Sequence, residues 1–324
     1  MTTLPVALTC GEPSGAGLEL SLLAWQRLSG KVPFFLIADR RHLAALPTDV
    51  PVIEITAPGQ ANAVFTNGLP LLHHDFAAEN QFGHPDPANA KCVIGVIERA
   101  VQLVQSGQAS AICTNPIHKK ALKVGAGFAY PGHTEFLAAL AGIDRPVMML
   151  AAPELRVVPV TIHVALTEVA QVLTAGLLED TIRITHADMG RRFGLTTPRI
   201  AVAGLNPHAG EGGSMGHEEI TLIAPVLDKL RAEGMNLTGP LSADTMFHPE
   251  ARAGYDVAIC MYHDQALIPL KTLNFHGGTN ITLGLPFVRT SPDHGTALDI
   301  AGQGRANPSS LMAALMQAGE MAAR

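Results

Sequence analysis

The chain has 324 residues, of which 47% are hydrophobic and 15% charged, and its formal net charge is −6. A chain of this composition can bury a core large enough for two lobes, which excludes a disordered protein. Lysine and arginine never exceed two in a row, so the charge argues against a nucleic-acid partner. No eighteen apolar residues run together and the start lacks a leader-like pattern, so we expect a cytoplasmic protein without membrane spans.

Apolar runs typical of strands alternate with segments of helical periodicity along the whole chain. The apolar runs predict strands at 5–9, 34–38, 110–114, 147–151, 199–204 and 256–262. The periodic segments predict helices at 90–104, 134–140, 177–193, 218–233 and 309–323. This alternation predicts an α/β fold. Because no flexible linker interrupts it, two lobes can be joined by crossing strands, with one lobe discontinuous in sequence.

The cysteines and two glycine-rich segments give local expectations. Cys10, Cys92, Cys113 and Cys260 lack CxxC spacing, which indicates buried free thiols. GEPSGAG (11–17) follows the first strand but is not GxGxxG, so we interpret it as a tight turn near a ligand rather than a nucleotide-binding loop. GLNPHAGEGG (204–213) can turn the chain, offer N–H groups to an anion, or present His208 to a metal.

Three histidines, His163, His208 and His263, lie just beyond apolar runs in polar sequence. Strand ends are where α/β proteins assemble active sites, and three imidazoles can bind Zn²⁺ or a similar divalent ion while leaving a position open for substrate. Asp264 and Asp293 stand beside histidines, where a carboxylate can fix the imidazole tautomer. Helix capping is an equally good reading of these aspartates and of Asp244.

Polar residues also flank a later apolar strand, where Lys271, Asn280, Arg289 and Thr290 surround NITLGLPFVRT. An arginine grips a carboxylate or phosphate with two hydrogen bonds, while lysine acts as a point charge. Ordinary surface charge is the alternative reading of this segment.

Seven segments together resemble the 4-hydroxythreonine-4-phosphate dehydrogenase family of pyridoxal phosphate biosynthesis, and the likeness extends over nearly the whole chain. They are GEPSGAG, TNPIHKKAL, GHTEFLA, GLNPHAGEGG, GPLSADTMF, MYHDQALIPLK and NITLGLPFVRTSPDHGTALDIAG. The resemblance implies an isocitrate/isopropylmalate dehydrogenase-like fold of two α/β lobes with the active-site cleft between them. We expect a first lobe at 1–130 plus 286–324, and a second lobe at 131–285 with the metal site and dimer interface.

The resemblance also implies a role for each matching position. The metal ligands would be His163, His208 and His263, shared between the subunits of a homodimer and holding one divalent ion (Zn, Mg, Mn or Co). The substrate contacts would be His133, Thr134, Lys271, Asn280 and Arg289. NAD or NADP would lie near His294, Gly295 and Thr296. Lys271 is our candidate for the proton acceptor, with Asp264 and Asp244 as alternatives.

The implied reaction is the NAD-dependent, metal-dependent oxidation of 4-phosphooxy-L-threonine at C3, with decarboxylation to 3-amino-2-oxopropyl phosphate. Similar enzymes oxidise sugar-acid phosphates such as erythronate or threonate 4-phosphate, and this remains the main alternative. A phosphate acyltransferase on the same fold and a non-catalytic binding protein are the weaker rivals. GAGLEL and FHGGTN depart from the family pattern, which leaves the shape of the substrate pocket open.

Overall fold

The computed structural model describes residues 4–324, which form two compact units. The first unit contains the residues up to Pro146 together with Leu285–Ala323, and the second contains Val147–Gly284 and Arg324. The sequence placed the first boundary at 131. Residues 131–146 instead belong to the first unit, because the helix at His133–Ala141 packs against the helix at Ala90–Gln105.

Twelve strands are present in the described residues. They are β1 (Val6–Thr9), β2 (Phe34–Ala38), β3 (Val52–Ile55), β4 (Leu69–His73), β5 (Ile112–Thr114), β6 (Val147–Ala152), β7 (Leu155–Pro159), β8 (Ile200–Ala203), β9 (Leu237–Leu241), β10 (Val257–Cys260), β11 (Thr279–Leu283) and β12 (Arg289–Pro292).

The α-helices of the same residues vary from a single turn to nineteen residues. They are α1 (Gly17–Leu28), α2 (Arg40–Ala44), α3 (Ala61–Val64), α4 (Ala90–Gln105), α5 (Lys119–Ala126), α6 (His133–Ala141), α7 (Val169–Val172), α8 (Ala175–Phe193), α9 (Ala224–Ala232), α10 (Pro249–Arg252), α11 (His263–Leu273) and α12 (Ser309–Ala322).

The first unit contains a parallel sheet in the order β3-β4-β2-β1-β5-β12. All five residues of β2 are buried, as expected for a continuous apolar strand covered by helices on both faces. The alignment of these strands brings the carboxyl ends of β1, β5 and β12 side by side. The loops that follow these three strands are therefore neighbours.

The second unit contains strands in the order β11-β6-β7-β10-β8-β9. The pairs from β11 to β7 are antiparallel, and those from β7 to β9 are parallel. Side chains of β6, β7, β8 and β10 form a buried cluster with Leu270 of α11. This packing holds α11 against the sheet, immediately after β10.

All six predicted strands and all five predicted helices are confirmed, with small shifts at their ends. The helix predicted at 218–233 begins with a π-helical turn at Glu219–Ile223 before α9, where Pro225 occupies the first turn. The unpredicted strands include β9, whose sequence LTGPL contains a proline and lies at the end of its sheet. Cys10, Cys113 and Cys260 are buried and Cys92 is half-buried, and all four are free thiols. Within residues 4–324, no helix has the length and apolar character needed to cross a membrane.

Candidate active site

The three candidate metal-binding histidines follow three neighbouring parallel strands of the second unit. His163 comes after β7, His263 after β10 and His208 after β8. These strands pair directly with one another, with β10 between β7 and β8. The histidines therefore emerge from the same edge of the sheet, as the sequence predicted, although His263 begins a helix rather than lying in a loop.

His163 and His263 share one pocket. Their ring centroids are 6.0 Å apart with an interplanar angle of 41°. The pocket has a volume of about 260 Å³. It is lined by Thr161, His163, Val164, Leu166, Val169, Tyr262, His263 and Asp264.

The imidazole of His263 is oriented by its neighbour. A hydrogen bond of 2.7 Å joins His263 Nδ1 and Asp264 Oδ1. Such a contact favours the tautomer with the proton on Nδ1. The lone pair of Nε2 is then able to coordinate a metal. Asp264 therefore lies where a carboxylate can fix the tautomer of His263, and it also lines the pocket.

His208 lies in an unusual left-handed turn. Residues 208 to 212 all have positive φ, including His208 (51°), Ala209 (50°) and Glu211 (42°), which are not glycines. The turn is anchored by Glu219, a buried carboxylate that accepts hydrogen bonds from the N–H groups of Leu205 (2.7 Å) and Asn206 (2.8 Å). The sequence motif HEE, which follows the glycines, was the available signal for this anchor.

Within a single chain, His208 lies near Asp244. The hydrogen bond from Ser242 lowers the pKa of Asp244, and the nearby imidazole of His208 adds a smaller effect in the same direction. Across the described part of the chain, no three His, Cys, Asp or Glu side chains are grouped closely enough to hold a metal ion. Two of the three predicted ligands are thus brought together, and the third lies apart from them. The imidazole donors present suit Zn²⁺ and similar divalent ions.

Lys271 and Asn280 occupy other parts of the second unit. Lys271 lies in the last turn of α11, ~12 Å along the helix axis from His263 at its start. Its Nζ is 5.2 Å from the centre of the Phe275 ring. Asn280 lies on β11, and its Oδ1 is buried without a hydrogen-bond partner in residues 4–324. A buried amide oxygen of this kind suits a polar ligand group.

Arg289 is a buried cation in the first unit. It begins β12, is 3% exposed, and one guanidinium nitrogen donates to Thr114 Oγ1 at 2.7 Å. Burial lowers the pKa of Arg289 to about 10, while the thiol of Cys113 and the carboxylate of Glu135 act in the opposite direction. A guanidinium in such a place favours an anionic ligand.

His133 and Thr134 form the first turn of α6, close to Arg289. Burial, followed by the positive charges of Arg289 and Lys119, holds the pKa of His133 well below 6.5. His133 Nε2 is buried and has no hydrogen-bond partner among the described residues. The residue before the helix, Gly132, contributes no side-chain cap, so the first N–H groups of α6 remain available.

The predicted cofactor loop contacts the GEPSGAG turn. Ala16 donates to the carbonyl of Thr296 at 2.9 Å. A Cβ on Gly15 would approach that carbonyl to 2.6 Å, so the close contact requires glycine. His294 Nδ1 is 2.8 Å from the Gly295 carbonyl, while His294 Nε2 is buried without a partner in residues 4–324. These groups fit a polar ligand such as the nicotinamide cofactor.

Two further polar residues were not singled out from the sequence. Asn115, in TNPIHKKAL, donates to the Thr9 carbonyl and to Ser21 Oγ, both at 3.0 Å, and leaves its buried Oδ1 without a partner in the described chain. Glu19 accepts from the N–H of Gly302 at 2.9 Å and so holds the segment that follows the cofactor loop. Neither role has a local sequence signature, because the partners are distant in the chain.

Comparison with known proteins gives the fold class first. The solved structure of 4-hydroxythreonine-4-phosphate dehydrogenase from Klebsiella pneumoniae has a TM-score of 0.90 and 35% identity, covering 99% of this chain and 100% of that chain. A terephthalate 1,2-cis-dihydrodiol dehydrogenase from Burkholderia xenovorans has a TM-score of 0.68 and 25% identity, covering 98% and 99%. The isocitrate/isopropylmalate dehydrogenase-like α/β fold is confirmed.

Sequence similarity then gives the family. A 4-hydroxythreonine-4-phosphate dehydrogenase from Roseobacter denitrificans is 60% identical over 323 residues, which cover 99% of this chain and 98% of the relative. The profile described as "Pyridoxal phosphate biosynthetic protein PdxA" matches residues 31–318. The chain belongs to the PdxA family, and the resemblance inferred from its motifs is confirmed.

Proposed function

We propose that this protein is a dehydrogenase that oxidises 4-phosphooxy-L-threonine at C3, with decarboxylation to 3-amino-2-oxopropyl phosphate. The observation that carries the proposal is the pocket shared by His163 and His263, in a chain that belongs to the PdxA family. Membership of a dehydrogenase family supports a nicotinamide cofactor. We further propose that the cofactor is NAD rather than NADP, that a divalent metal is required, and that the protein is cytoplasmic.

The substrate is proposed to bind through its charged groups. Arg289, buried in the first unit, grips an anionic group, and His133 and Thr134 offer polar contacts at the start of α6. Asn280 contributes its unpartnered Oδ1 to a hydroxyl or ammonium group. Fixed polar contacts of this kind suit a small, phosphorylated hydroxy acid.

The three histidines are proposed to hold the divalent metal. When bound, the metal polarises the C3 oxygen and the nicotinamide accepts hydride. His263 is oriented by Asp264, and His163 faces it across the pocket. Asp264 lines that pocket and is the nearer candidate for holding the C3 hydroxyl proton, while Lys271, two turns along α11, is the second candidate.

A homodimer is the proposed active form. His208 lies beside Asp244 rather than with His163 and His263, and we propose that a second subunit supplies it. The apolar side chains of Val164, Leu166, Ile268 and Phe275 are exposed and can be covered by a second copy.

The first test is NADH formation by purified protein with NAD and Zn²⁺, Mg²⁺, Mn²⁺ or Co²⁺. The substrates compared are 4-phosphooxy-L-threonine, erythronate 4-phosphate and threonate 4-phosphate, each alone. The proposal predicts the highest kcat/KM with the amino-acid phosphate. Preference for a sugar-acid phosphate would retain the chemistry but contradict the proposed substrate, and no NADH with any of them would refute the proposed activity.

A further inference from the structure

Lys119 lies beside the first turn of α6. It is the first residue of α5, and a Cβ placed on Gly132 would be 3.6 Å from Lys119 Nζ and 3.4 Å from Glu135 Oε2. The side chain of Lys119 makes no hydrogen bond or ion pair with residues 4–324, and the residue is exposed. Its ammonium group is therefore available to a ligand that approaches this turn.

The imidazole of His133 and the N–H groups at the start of α6 also favour binding of an anion in this region. Arg289 donates to Thr114 Oγ1 at 2.7 Å, at the end of the strand from which the chain leads to Lys119, and the charges of both cations act on His133. The neutral ring of His133 keeps a buried Nε2 without a partner in the described chain. The free N–H groups at the start of α6 add positive potential at the same end of the helix.

We infer that Lys119 is a further substrate-binding residue and that it joins Arg289 in binding the phosphate group of the substrate. This inference rests on the proposed function. A phosphate monoester carries nearly two negative charges at pH 7, and one guanidinium balances only one of them. Lys119 provides the second positive charge as a point contact, while Arg289 provides directed hydrogen bonds.

The charge balance favours the phosphate over the substrate carboxylate as the partner of Lys119. A carboxylate carries a single charge, which Arg289 alone can match. Glu135 adds a further negative charge close to Arg289 and to Gly132. Glu135 repels a dianion more strongly than a monoanion. A phosphate bound at this place therefore has the greater need of a second cation.

The kinetic experiment compares Lys119→Ala with Lys120→Ala, which removes the adjacent lysine, also exposed. We expect Lys119→Ala to raise KM for 4-phosphooxy-L-threonine about tenfold or more with little change in kcat, because a charged hydrogen bond is lost. Lys119→Arg should recover most of the affinity, and Lys120→Ala should match the wild type. Equal KM values in the two alanine variants would overturn the inference.

A binding experiment separates this inference from the proposed activity. Inorganic phosphate or acetate is titrated into metal-free, cofactor-free protein while the melting temperature is recorded. We expect phosphate to raise the melting temperature of the wild type and of Lys120→Ala, but not that of Lys119→Ala, whether or not any substrate is oxidised. Undiminished protection of Lys119→Ala by phosphate, or an equal loss of protection by acetate, would contradict a phosphate contact. Failure of the proposed function is seen separately, as absence of NADH with the wild type.

Discussion

The surroundings of His133 lower the pKa of its imidazole and thereby affect the stability of the protein in acid. Burial and the positive charges of Arg289 and Lys119 hold its pKa well below 6.5, so the ring is neutral in the folded protein at pH 7. In the unfolded chain a histidine takes up a proton near pH 6.5. The unfolded state therefore binds more protons than the folded state as the pH falls below that value, and the folded state loses stability.

We predict that His133 makes the protein less stable in mild acid. The free energy of unfolding should fall as pH decreases from about 6.5, with this residue contributing at most roughly 1.4 kcal/mol per pH unit. His133→Gln should flatten the pH dependence between about pH 6.5 and 5. The measurement is urea unfolding of the metal-free protein across this range, with the exposed His276→Gln as control. Identical slopes in wild type and His133→Gln would show that His133 titrates normally.

The loops after the strands carry most of the unusual backbone. Among the described residues other than glycine, positive φ occurs at His163, His208, Ala209, Glu211 and Ala297. These residues follow β7, β8 and β12, the strands that lead into the proposed metal and cofactor loops. Each such conformation costs about 1–3 kcal/mol, so surrounding contacts must hold it. In the turn that carries His208, the buried carboxylate of Glu219 holds the N–H groups of Leu205 and Asn206, which come just before it.

Glu219 is predicted to set the position of His208. Glu219→Ala would leave the partly buried N–H groups of Leu205 and Asn206 without their acceptor and should destabilise the fold by roughly 3 kcal/mol. The matched control is Glu218→Ala, which removes a neighbouring carboxylate that accepts from the Asn206 side chain at 2.7 Å. Denaturant unfolding gives the stability, and calorimetric titration with Zn²⁺ gives the metal affinity.

Only Glu219→Ala should weaken both properties strongly. If Glu218→Ala has the same effect, the loop is held by the acidic pair as a whole rather than by the buried carboxylate. If Glu219→Ala lowers stability but leaves Zn²⁺ affinity unchanged, the loop does not present a metal ligand.

At the scale of the whole molecule, the proposed metal site depends on a second copy of the chain. Arg289 and His133 belong to the first unit, and the three histidines to the second. Exposed apolar residues follow two of those histidines in the chain, Val164 and Leu166 after His163 and Ile268 after His263. If the metal site is shared, the dimer contact that covers these residues is needed for catalysis as well as for stability.

Mixing inactive variants tests the sharing of ligands. His163→Ala and His208→Ala should each be inactive, because each lacks one of the proposed metal ligands. If one subunit provides His163 and His263 and its partner provides His208, a mixed dimer contains one intact site, and equal mixing should restore about a quarter of wild-type activity. His163→Ala mixed with His263→Ala should stay inactive. If neither mixture recovers activity, although differently tagged chains are shown to exchange subunits, one chain supplies all three ligands.

Much of the fold was predictable because its signals are local. The buried strand FFLIA and the helix at Ala90–Gln105 were recognised from apolar runs and helical spacing, which neighbouring residues determine. The edge strand β9 was missed because a proline interrupts its pattern. The boundary at 131 differed from the structure because the assignment of α6 to a unit depends on packing against α4, which no local pattern records.

The candidate site divides in the same way. The sequence by itself determined the family, the α/β class and the histidines at strand ends, since motifs and periodicity are properties of consecutive residues. Only the tertiary structure decided that His163 and His263 share a pocket, that Glu219 anchors the turn of His208, and that Lys119 lies near His133 and Arg289. The physical reason is that burial, charge and hydrogen bonding depend on distances in space, and packing sets those distances between residues far apart in the chain.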